Sequence, residues 1–102
     1  MKVAIPTDDG TLVSEHFGRA RYFYITDGKN AKLAENPHRE HAGRHEKHRR
    51  KHELVNLLVG EGVEVVYALH VGEGMRRNLG EAGIKIETVK ERDIEKLLHG
   101  HS

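Results

Sequence analysis

Two short apolar runs in the second half of the chain decide its architecture. GVEVVYAL at 62–69 and IKIETV at 84–89 have the length and the β-branched content of strands. Between them, GEGMRRNLGEAG at 72–83 reads as a helix entered through Gly72 and Gly74 and ended at Gly83. Strands joined through a helix pair in parallel, with a right-handed crossover. A further helix precedes the first run at roughly 44–61, where Leu54, Leu57 and Leu58 recur with Val55 and Val59. Another, RDIEKLLHG at 92–100, follows the second run, with Asp93 in its first turn.

The first half has the opposite character. KVAIP at 2–6 is a short strand ended by Pro6, and TDDG at 7–10 is a turn. RYFYITD at 21–27 is a second strand, GKN at 28–30 a turn, and AKLAE at 31–35 the returning arm of a hairpin. Asn36 and Pro37 then stop the sheet, with Asn36 placed to cap a following helix. A meander followed by α-β-α-β-α predicts a three-layer α/β/α sandwich on a mixed, mostly parallel five-stranded sheet.

With 102 residues the chain holds one core, without internal repeat or linker, so a single domain over 1–102 is expected. It has no cysteine, which excludes a disulfide framework, a thiolate zinc site and a Cys-ligated iron–sulfur cluster of its own. Any metal must be held by His, Asp, Glu or backbone oxygen. No apolar run approaches the ~20 residues that cross a bilayer. The N-terminal MKVAIPTDD turns polar too soon for a secretory signal. A cytoplasmic protein without membrane contact is the expectation.

Histidines 38, 41, 45, 48 and 52 recur at gaps of three and four, the rhythm of one helix face. Gly43 divides them into a loop pair, His38 and His41, and a helical trio, His45, His48 and His52. Imidazoles at i and i+4 can chelate one divalent ion, so His48/His52 and His41/His45 are candidate pairs for Zn, Ni, Cu or Fe. Zinc catalysis of the HExxH type does not fit, because Arg49 follows His48. The trio flanks the leucine face instead of sharing it, so a solvated helix edge is the plain alternative. Residues 38–53 carry six Lys/Arg against three Glu, a local +3 within a chain of net charge +1. That density opposes a bare cation and attracts an anionic metal–sulfur cluster. It is also basic enough for phosphate, but no aromatics are interleaved to stack bases, so nucleic acid is disfavoured.

VSEHFGRARYFYI at 13–25 places Ser14-Glu15-His16-Phe17-Gly18 ahead of a strand. On the residues alone, Phe17 plugs the core and His16 caps a turn. KVAIPTDDG, the HFG loop, Glu35-Asn36-Pro37, the Val63–Val66 strand, the glycines Gly72 and Gly74, and Ala82-Gly83-Ile84 together resemble a known family. It is the dinitrogenase iron–molybdenum cofactor biosynthesis family of NifX-like domains, and the resemblance covers essentially the whole chain. It implies a ribonuclease-H-like fold and a non-catalytic protein that binds iron–molybdenum cofactor or a related metal–sulfur cluster. It also implies proteins that donate the cluster and accept it. The HFG histidine maps to His16, the candidate ligand, with Phe17, Gly18, Gly72 and Gly74 around the cofactor. His70 stands where the family carries small residues, and either adds a ligand or caps the strand. The cluster-bearing radical domain of the longer family members is excluded here by the missing cysteines.

Two other readings are weaker. Asp8, Asp9, Glu15 and Asp27 lie near strand ends, as a two-metal nuclease would require, but no acid ends the 62–69 strand. In the competing class, the domain regulates or interacts, and its His/Arg-rich helix meets an acidic partner or nucleic acid.

Overall fold

The computed structural model describes residues 2–36 and 47–99. Its strands are β1 (Val3–Thr7), β2 (Tyr22–Thr26), β3 (Ala31–Glu35), β4 (Val65–Ala68) and β5 (Lys85–Thr88). Its helices are α1 (Lys47–Gly60), α2 (Glu73–Glu81) and α3 (Ile94–His99), with one 3-10 turn at Phe17–Arg19. The sheet order is β3-β2-β1-β4-β5. β1 pairs antiparallel with β2, and β2 with β3, whereas β1–β4 and β4–β5 are parallel. Four strands therefore point one way and β2 the other, the mixed, mostly parallel α/β arrangement that the alternation implies.

Pro6 does not end β1, contrary to the sequence reading; Thr7 does. The Lys2 carbonyl accepts from Glu64 at the β4 side of β1, and alternate residues of a strand share that direction. The missing N–H of Pro6 thus faces the side on which pairing with β4 has stopped at Ala4↔Val66. Its carbonyl is taken by the Ser14 N–H at 2.7 Å.

Alternation sorts the strands onto two cores. Ala4, Phe23, Ile25, Val66 and Ala68 turn to one face, where Leu54, Val55 and Leu58 of α1 and Met75 and Leu79 of α2 cover them. Val3 and Ile5 turn to the other, under Ile94 and Leu97 of α3, with Tyr24 and Tyr67 packed alongside. Helices α1 and α2 end alike. Gly62 and Gly83 adopt φ of +80° and +83°. The next residues, Val63 and Ile84, donate back to Leu58 at 3.0 Å and Leu79 at 2.9 Å. This is the left-handed stop that only glycine reaches without strain, and each chain then turns directly into a strand. Asp93, expected in the first turn of α3, immediately precedes that helix, and its carboxylate accepts from the Lys96 N–H at 3.2 Å. No helix among the described residues is long and apolar enough to cross a membrane.

Leu79 is fully buried between α2 and the sheet, whereas Val59 on α1 is 50% exposed. Leu79→Ala will lower unfolding free energy by about 2–5 kcal/mol, and Val59→Ala by less than about 0.5 kcal/mol. Urea titrations of the two variants check the contrast.

Candidate functional site

β1 and β4 are parallel neighbours at the centre of the sheet, and the chain leaves them in opposite directions, β1 toward β2 and β4 toward β5. A crevice opens at the carboxyl ends of strands that diverge in this way, and it is where open α/β sheets receive ligands. Two loops meet there, residues 8–21 after β1 and 69–72 after β4.

The first loop is held from several sides. Thr7, wholly buried, accepts from the Gly10 N–H at 2.8 Å and donates to the Leu12 carbonyl at 2.6 Å. Val13 donates to the Arg92 carbonyl at 2.6 Å, tying the loop to the start of α3. Ser14 is buried, and its hydroxyl accepts from the His16 N–H at 3.2 Å. Phe17 is 2% exposed and meets Phe23 edge-on, with ring centroids 5.1 Å apart. Asn36, 1% exposed, donates its Nδ2 to the carbonyls of Gly18 at 3.1 Å and Ala20 at 2.8 Å. Its amide clamps the loop from the far end of β3; the helix start that Asn36 is expected to cap lies outside the described residues. With Ser14 and Phe17 both drawn inward, His16 between them stands exposed. It immediately precedes the 3-10 turn, but its side chain makes no capping hydrogen bond, so the turn-capping role expected on the residues alone is not filled.

After β4, Leu69 is half-buried, His70 exposed and Val71 buried again. Gly72 then opens α2, its carbonyl accepting from the Arg76 N–H at 2.8 Å. The two loops and the first turn of α2 border an open depression of about 460 Å³, lined by His16, Phe17, Gly18 and Arg19 from the first loop, His70 and Gly72 from the second, and Gly74 and Met75 of α2. The six residues singled out from the two stretches of sequence thus lie together. Arg19 and Met75 were missed. Nothing in HFGRA marks Arg19 as turned to a site, and Met75 reads as an ordinary core residue of α2.

His16 also borders a second depression, of about 340 Å³, with Asp8, Asp9, Leu12, Val13, Ser14, Glu15 and Arg92. The carboxylates there are occupied. Asp8 accepts from the Arg21 N–H at 2.9 Å, and Glu15 pairs with Arg92 at 3.2 Å. Asp9 accepts from the Leu12 and Thr11 N–H groups at 3.0 and 2.8 Å, which holds its carboxyl below the usual range. Asp27 lies past the end of β2, at the opposite edge of the sheet, so the four acids of the nuclease reading do not converge. Among the described residues no three His, Asp or Glu side chains gather to hold a metal ion. His38, His41 and His45 lie outside the described residues; His48 and His52 belong to α1.

Asn36→Ala will strand two loop carbonyls and cost about 1–3 kcal/mol in denaturant unfolding. Asp9, with its folded pKa depressed from 3.8, binds its proton less readily when folded. Its stabilising contribution is complete above the ordinary carboxylate value and drains as pH falls through the folded one. Unfolding midpoints measured from neutral pH down to acid will fall less steeply for Asp9→Asn than for the native chain.

The chain matches the family described as dinitrogenase iron-molybdenum cofactor over residues 1–101. No curated protein sequence matches it. Among solved structures, a candidate NifB protein from Thermotoga superposes with a TM-score of 0.73 at 29% identity, over 95% of this chain and 83% of that one. The apo form of the orange protein from Desulfovibrio gigas gives 0.75 at 23% identity, over 97% and 88% of the two chains. A candidate dinitrogenase from Methanocaldococcus jannaschii gives 0.67 at 22%, over 96% and 84%. These last two share the fold. The match over nearly every residue, on this topology, makes the chain a member of the dinitrogenase iron-molybdenum cofactor family.

Proposed function

We propose that the protein binds a preformed metal–sulfur cargo of the iron–molybdenum cofactor kind and passes it on, without itself catalysing a reaction. The observation that carries this reading is the shared depression at the carboxyl ends of β1 and β4, flanked by two exposed imidazoles, His16 and His70. Neither imidazole has a hydrogen-bonding or ionic partner among the described residues. No carboxylate there orients either one as a catalytic base.

The donor chemistry supports a carrier. A neutral imidazole is a good but exchangeable ligand for Fe, Cu, Ni or Zn. Two imidazoles are too few to cage a bare ion. They suffice for a cluster that brings its own sulfides and needs only one or two anchors. Gly18, Gly72 and Gly74 leave backbone uncovered for close approach by a bulky inorganic group. Phe17, fixed in the core, gives the site a rigid floor. In this reading His16 is the primary ligand and His70 the second, and the chain acts as one cofactor-binding domain over 1–102. Proteins of the same compartment, the cytoplasm, donate and accept the cargo. The auxiliary histidines His38, His41, His45, His48 and His52 are this chain's own addition to the family site.

Anaerobic titration of the apo-protein with isolated iron–molybdenum cofactor, followed by absorbance and gel filtration, tests the assignment. His16→Ala will weaken binding at least about tenfold, the usual scale for loss of one metal ligand or its support, and His70→Ala less. Equal binding by His16→Ala and the native chain would sink the His16 assignment. Uptake of divalent zinc or nickel with no uptake of the cofactor would replace the cluster by a bare ion.

A further inference from the structure

His16 stands on a divide between two depressions of opposite character. On one side lie Asp8, Asp9 and Glu15, with Arg92 as the cation. On the other, the depression shared with His70, none of the described lining residues carries a carboxylate. Among them, the side chain that is charged at every physiological pH is Arg19. Glu73 separates Gly72 from Gly74 in sequence, but does not join them in the lining. The two guanidinium groups differ in the same way. Arg92 is paired with Glu15 at 3.2 Å, whereas Arg19 has no ionic partner among the described residues.

Arg19 is also held in place. It ends the 3-10 turn, and its N–H donates to the His16 carbonyl at 3.2 Å. Asn36 grips the carbonyls on either side of it, Gly18 at 3.1 Å and Ala20 at 2.8 Å. The Arg19 side chain itself is exposed. A fixed backbone and an unpaired fork of N–H donors are what recognition of an anion by arginine requires. The surfaces beside it choose the kind of anion. Phe17 and Met75, both buried, also line the depression. An aromatic ring and a thioether are poor hosts for strongly hydrated oxygen anions and good ones for polarisable sulfur.

We propose that Arg19 is the anion anchor of the depression and restricts its cargo to sulfide-bearing metal anions. This rests on the cargo reading above, and adds to it the charge class of the cargo and the residue that selects it. The guanidinium donates N–H groups to sulfide on the outside of the cargo and forms no bond to metal. It supplies what exchangeable imidazoles lack. Its charge repels a bare cation, and its fork holds an anion without closing a coordination shell.

The test is equilibrium dialysis of the full chain against tetrathiomolybdate, a coloured molybdenum–sulfur dianion, at physiological ionic strength. Its molybdenum is already fully coordinated by sulfide, so it reads the anion contact apart from ligation by imidazole. Arg19→Gln will weaken uptake about tenfold, the scale of one charge-assisted contact, and Arg19→Lys will recover part of the loss. Arg77→Gln makes the same change of net charge at an exposed position of α2 outside the lining, and will bind as the native chain does. Inorganic phosphate in large excess will not displace the dianion. Unchanged uptake by Arg19→Gln, or an equal fall in Arg77→Gln, overturns the anchor. Displacement by phosphate overturns the choice of sulfide. Absence of saturable uptake by the native chain overturns the anchor alone, because the cofactor titration with His16→Ala decides the cargo reading separately. Refusal of the cofactor by a native chain that holds tetrathiomolybdate through Arg19 removes the cargo reading and leaves the anchor.

Discussion

The parallel pairing of β1 with β4 is the contact on which the rest of the molecule depends. Only two residue pairs define it, Val3↔Val65 and Ala4↔Val66. It joins the antiparallel meander to the crossover half, and it places an amino-terminal strand in the middle of the sheet. Because β1 is central, its side chains are buried on both faces, and all five residues of VAIPT are buried. Because its neighbours leave in opposite directions, the loops after β1 and β4 part at one edge. Core and cleft share a cause. Weakening that pairing would separate the two halves and dissolve the depression together with the fold.

The architecture was largely legible in the residues because both of its signals are local. An apolar run at 62–69, an alternating one at 84–89 and a helix between them that stops at Gly83 are local signals, and strand–helix–strand order leaves parallel pairing as the outcome. The placement of Pro6 was not legible. Whether proline ends a strand depends on which side of it is paired, and that is a property of the neighbour. The role of Asn36 was hidden for a similar reason. Its amide reaches carbonyls 16 and 18 positions earlier in the chain, and no local pattern encodes such a span. Of the site, His16, Phe17 and Gly18 were visible as a motif and Gly72 and Gly74 as a loop. That the two stretches share one depression, with Arg19 and Met75, follows only from the sheet order.

The first loop also shows how exposure of a candidate ligand is produced. A histidine on a free loop would sample many positions and gain little from any one of them. Here Ser14 and Phe17 are both buried, Val13 is tied to Arg92, and Asn36 holds Gly18 and Ala20. The backbone at His16 is thereby positioned while its ring is left outside. Rigidity below and freedom above is what an exchangeable ligand requires.

His16 and His70 follow adjacent strands, whose backbones lie about 4.8 Å apart. The spacing of the two histidine-bearing loops is therefore set by the sheet. Permanent metal sites gain their affinity from three or four converging side chains, each oriented by a further hydrogen bond. This site has neither the count nor the orienting partners among the described residues. What it has is a fixed separation, uncovered glycine backbone and an open mouth. In the carrier role proposed for the chain, those properties set a low barrier to departure as much as to arrival, and a low barrier in both directions distinguishes a carrier from a store.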